Sequence, residues 1–497
     1  MAGLYLNQYK NEIFIFTLGV VIGLLLFSVS YGRLGISAIQ WGGNDFIEYW
    51  TLASNVTEGH GFSLRSSEPF EPSALRTPGY PLFLAISYAL TGGTVLASIL
   101  QILLYAFLGV LAYWILRELG FGRLLSTVVG VAFLFEPDVA STGIYLISDT
   151  LFHVILLGSF LLFLRAFHKQ SPELFLLSSL VLGVSALVRP ISLAVWGIYF
   201  IIWLFAFRPI ITKRKLAVLL ISLACVVAPI FPWVLRNYQT FGVARISSAD
   251  TYNLYAVVIP QIVSFRDGVP YRDARAKVLD DFITSEELAP LPKLDNVAYN
   301  VSASEFLMAD DFSYQTWMQR KFDEAFRGNL RYYGEAVVRG VIEFFSQVNW
   351  LTPLEHWEIL RPSYQPAVSF VEVLQEEGLS GLANEVVRRF SCGASCVLSF
   401  GLNASGRIFW ALITALAIAG FILMYRAKAV ARPLLIASLL FVAYIAAVHI
   451  FFIGALVQPR YRIPIAPFFF GFAFVALQHL YYMIVARNTR GEHKVIE

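Results

Sequence analysis

The chain has 497 residues, 57% of them hydrophobic and only 14% charged, with a mean hydropathy of +0.65 and a net charge of +3. Soluble domains carry about 25% charged residues, so water cannot be the only solvent and lipid must cover much of the surface. The near-neutral balance gives no reason to expect nucleic acid as a partner.

A spanning helix needs about 20 apolar residues. In chain order the candidates are 13–31, 94–116, 122–136, 149–167, 172–188, 191–207, 216–235, 405–425, 433–456 and 463–485. The predicted fold class is therefore an all-α polytopic membrane protein with about ten transmembrane helices. The first candidate is read as an uncleaved anchor, because the chain after it stays hydrophobic. Basic residues collect on alternate connections: Arg117 and Arg123; Arg165 and Lys169; Arg208, Lys213, Arg214 and Lys215; Arg426, Lys428 and Arg432; Arg487, Arg490 and Lys494. The positive-inside rule makes that side cytoplasmic. Both termini are then inside, and the expected location is the cell inner membrane, multi-pass.

This topology divides the chain into 1–237, a transmembrane module whose first outer loop is 33–93; 238–404, a large extracytoplasmic region; and 405–497, the closing helices and cytoplasmic tail. After Arg76-Thr77-Pro78-Gly79-Tyr80-Pro81, the run to Leu90 is too short to span and is expected to be an interfacial amphipathic helix. The second outer region mixes acids (Asp280, Asp281, Glu286, Glu287, Asp310, Asp311) with aromatics, and helices are expected at 314–326 and 332–345. Cys225 lies in an apolar run and reads as packing. Cys392 and Cys396 fit either a small disulfide or two free thiols. Asn-x-Ser/Thr triplets at Asn55, Asn300 and Asn403 are compatible with an outer placement and say no more.

Ionisable residues at membrane depth are costly and point to function. Asp45 and Glu48 are three residues apart, which puts them on one side of a short helix. A carboxylate there can take a proton from an attacking hydroxyl, although Asp45 also fits as a helix cap. Asp149 opens the fourth candidate span with His153 one turn deeper. The pair could share a metal or a proton, or Asp149 could be a first-turn acid and His153 a satisfied core histidine. Arg189, Arg236, Arg460 and Arg462, with Arg76 as a further candidate, break the inside-positive bias. A guanidinium's planar fork suits phosphate oxygens, and lipid-headgroup contact is the plainer reading.

Taken in order, Asp45-Phe46-Ile47-Glu48-Tyr49-Trp50, Arg76-Thr77-Pro78-Gly79-Tyr80-Pro81, Ser148-Asp149-Thr150, Val188-Arg189-Pro190 and Pro232-Trp233-Val234-Leu235-Arg236-Asn237 resemble motifs of the GT-C superfamily of membrane glycosyltransferases. The nearest resemblance is to bacterial relatives of protein O-mannosyltransferases and of the lipid A aminoarabinose transferase. Pro459-Arg460-Tyr461-Arg462-Ile463-Pro464 looks like the last outer loop of those proteins. The likeness covers the first seven candidate spans, the last three more loosely, and 245–400 not at all. It implies a GT-C-like bundle with interfacial helices in the first outer loop and a large, mostly helical outer region. It also implies a hexosyl- or pentosyltransferase that uses a polyprenyl-phosphate-linked sugar on the outer face, inverting, with a glycan, lipid or protein hydroxyl as acceptor. Asp45 takes the place of the catalytic carboxylate there. Asp149 matches a second acidic position near donor phosphate or a metal, and Arg189 a phosphate or structural contact. Many relatives have two adjacent acids where this chain has Asn44-Asp45, so no cofactor is implied with certainty and a divalent metal stays open. A polysaccharide polymerase or O-antigen-ligase-type enzyme would be expected to rely on arginine or histidine in the large loop. A lipid-linked substrate transporter would be expected to show internal repeats. Here the acids cluster in the first loop, and there is no repeat.

Overall fold

The computed structural model describes residues 9–35, 44–206, 212–284, 312–351, 354, 357, parts of 378–388, 393–428 and 431–492. Arg208, Glu286, Glu287, Asn300, Asp310, Asp311, Cys392 and Lys494, and the side chains of Asn44, Arg487 and Arg490, lie outside the described residues. Regular structure among the rest is helical, with one isolated bridge between Ser63 and Pro72.

The first half comprises α1 (Lys10–Leu34), α2 (Asn44–Glu58), α3 (Gly79–Thr91), α4 (Val95–Glu118), α5 (Arg123–Phe135), α6 (Pro137–Ile144), α7 (Asp149–Lys169), α8 (Pro172–Val188), α9 (Val195–Ala206) and α10 (Lys213–Phe241). The polar segment that follows holds α11 (Ala249–Asn253), a π-helical turn (Leu254–Val258), α12 (Ile259–Asp267), α13 (Tyr271–Thr284), α14 (Ser313–Gly328) and α15 (Leu330–Ser346). The chain closes with α16 (Ala394–Ala427), α17 (Arg432–Ile453), a 3-10 segment (Pro459–Ile465) and α18 (Ala466–Glu492).

Among the described residues seven helices are long and apolar enough to cross a membrane, or eight if α5 and α6 form one span bent by 61°. Ten were expected. The difference falls on 122–136, 172–188 and 191–207, where proline cuts the apolar run. Pro137 follows the bend at Glu136, and Arg189 is extended (φ −147°, ψ 118°), as a residue before proline prefers. The 17 residues of α8 reach about 26 Å, short of a hydrocarbon core of about 30 Å. The expected short helix after the Pro-Gly-Tyr-Pro turn is α3, with 13 residues.

α4, α7 and the closing span Pro459–Ile484 are the inner ones, 61%, 61% and 67% buried over their apolar windows. Aromatic rings fill the space around α7: Phe160 meets Phe441 (4.6 Å) and Phe468 (5.6 Å), and Phe163 stacks on Tyr199 (4.3 Å). α16 packs directly on α18, and Gly420 permits it, since a Cβ there would overlap the Phe472 carbonyl. A second, smaller core of Tyr255, Phe282, Trp317 and Met318 holds the polar segment together. Gln261 ties that segment to the loop after α17, donating to Ile453 O (2.7 Å) and accepting from Ala455 N (2.7 Å). Cys225 is a free thiol and Cys396 is disulfide-bonded. Asn55 is buried, its amide donating to Ser63 O and Arg65 O.

Candidate active site

The site forms where four stretches distant in sequence meet at one end of α7. The turn before α3 comes first. Gly79 sits so close to the end of α8 that a Cβ would stand 2.7 Å from Leu187 O, and Thr77 donates to Val188 O (2.8 Å). Arg76 and Arg189 therefore leave one shared backbone junction. The start of α7 is fixed from the other side. Gln101, fully buried on α4, donates to Thr142 O (3.0 Å) and Tyr145 O and accepts from Tyr80 Oη (3.0 Å). That holds the 145–147 turn, closed by Ile147 N donating to Tyr145 O (2.8 Å), that leads into Ser148 and Asp149.

On this frame Arg76 forks across α2, with Nε donating to Glu48 Oε2 and Nη2 to Asp45 Oδ1, both at 2.5 Å. Its guanidinium also lies over the Tyr49 ring (5.1 Å). Arg189 donates to Asp149 Oδ2 (2.6 Å) and to Ser148 Oγ (3.1 Å), and Ser148 Oγ also meets Tyr49 Oη (3.1 Å). Neither Ser148 nor Asp149 spends its side chain as a plain cap: α7 has no side-chain cap bond. Arg460, from the 3-10 segment before α18, bridges the two halves with Nη2 3.5 Å from Asp45 Oδ2 and Nη1 3.5 Å from Asp149 Oδ2.

The balance of burial and charge differs across the site. Asp149 is fully enclosed, whereas Asp45, Arg76, Arg189 and Arg460 keep 19–24% of their side-chain surface open. Burial alone would raise the Asp45 pKa. The guanidiniums of Arg76, Arg460 and Arg189 outweigh it and bring Asp45 down from 3.8 to about 2. Of the buried polar atoms without a hydrogen-bond partner among the described residues, three belong to this site: Arg460 Nε, Asp149 Oδ1 and His153 Nδ1.

The expected site residues thus separate into groups. Asp45, Glu48, Arg76, Asp149, Arg189 and Arg460 are brought together, with His153 beneath them. Arg236 stands apart, donating to Ser73 O (2.8 Å) and Asn237 Oδ1 (2.9 Å), its guanidinium over Trp233 (4.9 Å) and Phe241 (5.2 Å). Arg462, two residues beyond Arg460, turns to another buried cluster built on Glu136 and Asp138. Sequence reading missed those two acids, and the signal was there: Glu136-Pro137-Asp138 interrupts an apolar run. It also missed Gln101 and His449, the latter stacked on Tyr461 (4.4 Å). As a metal position Asp149 and His153 fit poorly. The carboxylate already faces two guanidiniums, and among the described residues no three His, Cys, Asp or Glu side chains converge.

No protein-family model matches the chain, and no curated protein matches it. Among solved structures it is similar to the oligosaccharyltransferase of Archaeoglobus fulgidus, solved tethered to an acceptor peptide. The TM-score is 0.48 and the identity 10%, over 96% of this chain and 50% of that one. This chain spans half the length of that protein, and so distant a likeness assigns no activity.

Proposed function

We propose that the chain is a membrane glycosyltransferase that moves a sugar from a polyprenyl-phosphate donor to a hydroxyl acceptor, with inversion. The observation that carries this reading is Arg460: a partly open guanidinium held loosely between two carboxylates, its Nε without a partner among the described residues. A lipid-phosphate sugar places its tail in the bilayer and its anomeric carbon near the interface. The acceptor oxygen attacks that carbon, its proton goes to Asp45, and the bond from carbon to phosphate oxygen breaks. Charge building on the departing phosphate is met by Arg460 and Arg189, fixed donors in a partly dry site. Glu48 and Arg76 hold Asp45 in place.

A carboxylate at about 2 is fully ionised at neutral pH but is a weak base. Donor binding corrects this, because a phosphate that draws Arg460 away and adds negative charge raises the basicity of Asp45. The basic cluster of Arg165 and His168 against Glu118 lies at the far end of α7, sixteen residues or about 24 Å from Asp149. That separation supports a non-cytoplasmic site with both termini inside.

The test is mass analysis of envelope glycans from cells carrying the wild-type chain, none, or Asp45→Asn. One sugar should disappear in both the null and the variant while the variant is produced at normal level. Unchanged glycans in the Asp45→Asn cells would remove Asp45 as the base.

A further inference from the structure

Arg460 bridges its two acids at 3.5 Å each, a looser hold than the 2.5–2.6 Å contacts of Arg76 and Arg189. Besides those acids its guanidinium has the adjacent Tyr461 ring (5.4 Å), so the segment that carries both residues bears on its place. The 3-10 segment that carries it, Pro459–Ile465, is anchored two residues later by Arg462, which is 1% exposed. Arg462 donates through Nη1 to Phe344 O (2.7 Å) and through Nη2 to Gln347 O (2.9 Å), closing the C-terminal end of α15. Its guanidinium lies 3.7 Å above the Trp410 ring, so α16 supplies the floor.

The same 344–350 stretch is gripped from the opposite side by the bend between α5 and α6. Glu136 Oε1 accepts from Trp350 Nε1 (3.2 Å) and Trp410 Nε1 (3.4 Å), and its other oxygen caps α6 at Val139 N (2.9 Å). Asp138 Oδ1 accepts from Asn349 N (3.2 Å). Two acids and one arginine buried away from the reacting groups are an expensive arrangement, and every contact they make bears on one junction. That junction joins the α5–α6 bend, the end of α15 and the segment that carries Arg460.

We propose that Glu136, Trp410 and Arg462 form a buried clamp that fixes Pro459–Ile465 and thereby sets Arg460 between Asp45 and Asp149. These are positioning residues that touch no substrate, and the inference rests on the reading of Arg460 as a phosphate contact. Because charge-assisted contacts are strongly directional, loosening the clamp weakens phosphate binding without removing the cation. The clamp also links the polar segment to the site: a displacement of α15 reaches Arg460 through Arg462.

The experiment measures binding of farnesyl phosphate to the purified full chain in detergent for wild type, Arg460→Ala, Arg462→Lys, Glu136→Gln and each clamp variant combined with Arg460→Ala. Arg460→Ala should weaken binding about tenfold, the loss of one charged contact. Arg462→Lys and Glu136→Gln should weaken it to a similar degree, and neither should add further loss in the Arg460→Ala background, as coupled residues behave. Glu136→Gln keeps the shape and an acceptor oxygen, so it carries the test should Arg462→Lys fail to fold. Wild-type affinity in both clamp variants, or losses that multiply with that of Arg460→Ala, would overturn the clamp and leave the site reading standing. Unchanged binding in Arg460→Ala itself would instead overturn the site reading, and the clamp with it.

Discussion

Replacing Arg76 by glutamine removes the side chain that grips both Asp45 and Glu48, and the cost can be worked from the geometry. The fall of Asp45 from 3.8 to about 2 corresponds to about 2.5 kcal/mol of net stabilisation of its ionised form. Burial opposes that form, and Arg76 is the largest of the charges favouring it. Without Arg76 the burial penalty remains, and Glu48 also loses its 2.5 Å contact. Removing one partner of a fully buried pair costs about 3–5 kcal/mol. Here Asp45 and Arg76 keep 23% and 24% of their side-chain surface, so Arg76→Gln should cost about 3 kcal/mol at pH 7, at the low end of that range. The pH dependence has a definite sign. A depressed carboxyl stabilises the fold fully above 3.8, and that contribution drains away as pH falls towards 2. The deficit of the variant is therefore full at neutral pH and shrinks in acid. Unfolding by SDS in mixed micelles, followed by tryptophan fluorescence at pH 7 and at about pH 3, measures it. Arg65→Gln is the control: its pair with Glu71 leaves the acid 51% exposed, and such pairs are worth under about 1 kcal/mol. A deficit for Arg76→Gln equal to the control's, or one that does not shrink in acid, would refute the argument.

Three further outcomes are expected. Gly79→Ala should unseat the turn from Leu187 O and move Arg76 away from Arg189, costing about 1–3 kcal/mol as overpacking does and lowering sugar transfer more than Asn55→Ala does. Thermal unfolding and a transfer assay read both effects. Gly420→Val should separate α16 from α18 at Phe472 and lower the unfolding temperature, while Gly158→Ala, where a Cβ meets nothing within 4 Å, should leave it near wild type. Arg189→Lys should weaken farnesyl phosphate binding, because an ammonium cannot hold Asp149 Oδ2 and Ser148 Oγ with the planar fork of a guanidinium. Arg236→Lys, lost from contacts to Ser73 O and Asn237, should lower stability and spare that affinity.

Much of this arrangement could be read from the chain, for a physical reason. Charged side chains are so rare in an apolar sequence that Asp45, Glu48, Arg76, Asp149, Arg189 and Arg460 stand out singly, and a membrane leaves few places to put them. Their separation from Arg236 and Arg462 could not be read. Arg460 and Arg462 are two residues apart, and only the turn of a 3-10 segment sends one to Asp45 and the other to Trp410. Span number failed for a related cause. Hydropathy sums over a window, whereas Arg189-Pro190 and Glu136-Pro137 break the backbone inside it. Gln101 escaped notice because an amide on an inner helix carries no charge to mark it, although it holds the approach to Asp149 from three carbonyls.

The charge count of the site bears on the proposed reaction. Asp45, Glu48 and Asp149 balance Arg76, Arg189 and Arg460, so the six groups sum to zero. A phosphodiester donor brings one negative charge into a partly buried place, where an uncompensated charge is costly. Bond cleavage would leave a second negative charge on the departing phosphate. If the acceptor's proton lands on Asp45 in the same step, the carboxylate is neutralised as the phosphate gains, and the total does not change. Arg460, which touches both acids, is then free to follow the charge from Asp45 to the phosphate without its own charge becoming unpaired. An uncharged amide in place of the Asp45 carboxylate would break this exchange twice over, having no place for the proton and leaving Arg460 in surplus while the donor is absent. Asp45→Asn should therefore bind farnesyl phosphate more tightly than wild type, by severalfold on the pairing energies above, while transferring no sugar. Weaker binding in that variant would mean that Asp45 helps to hold the phosphate, and the exchange would have to be abandoned.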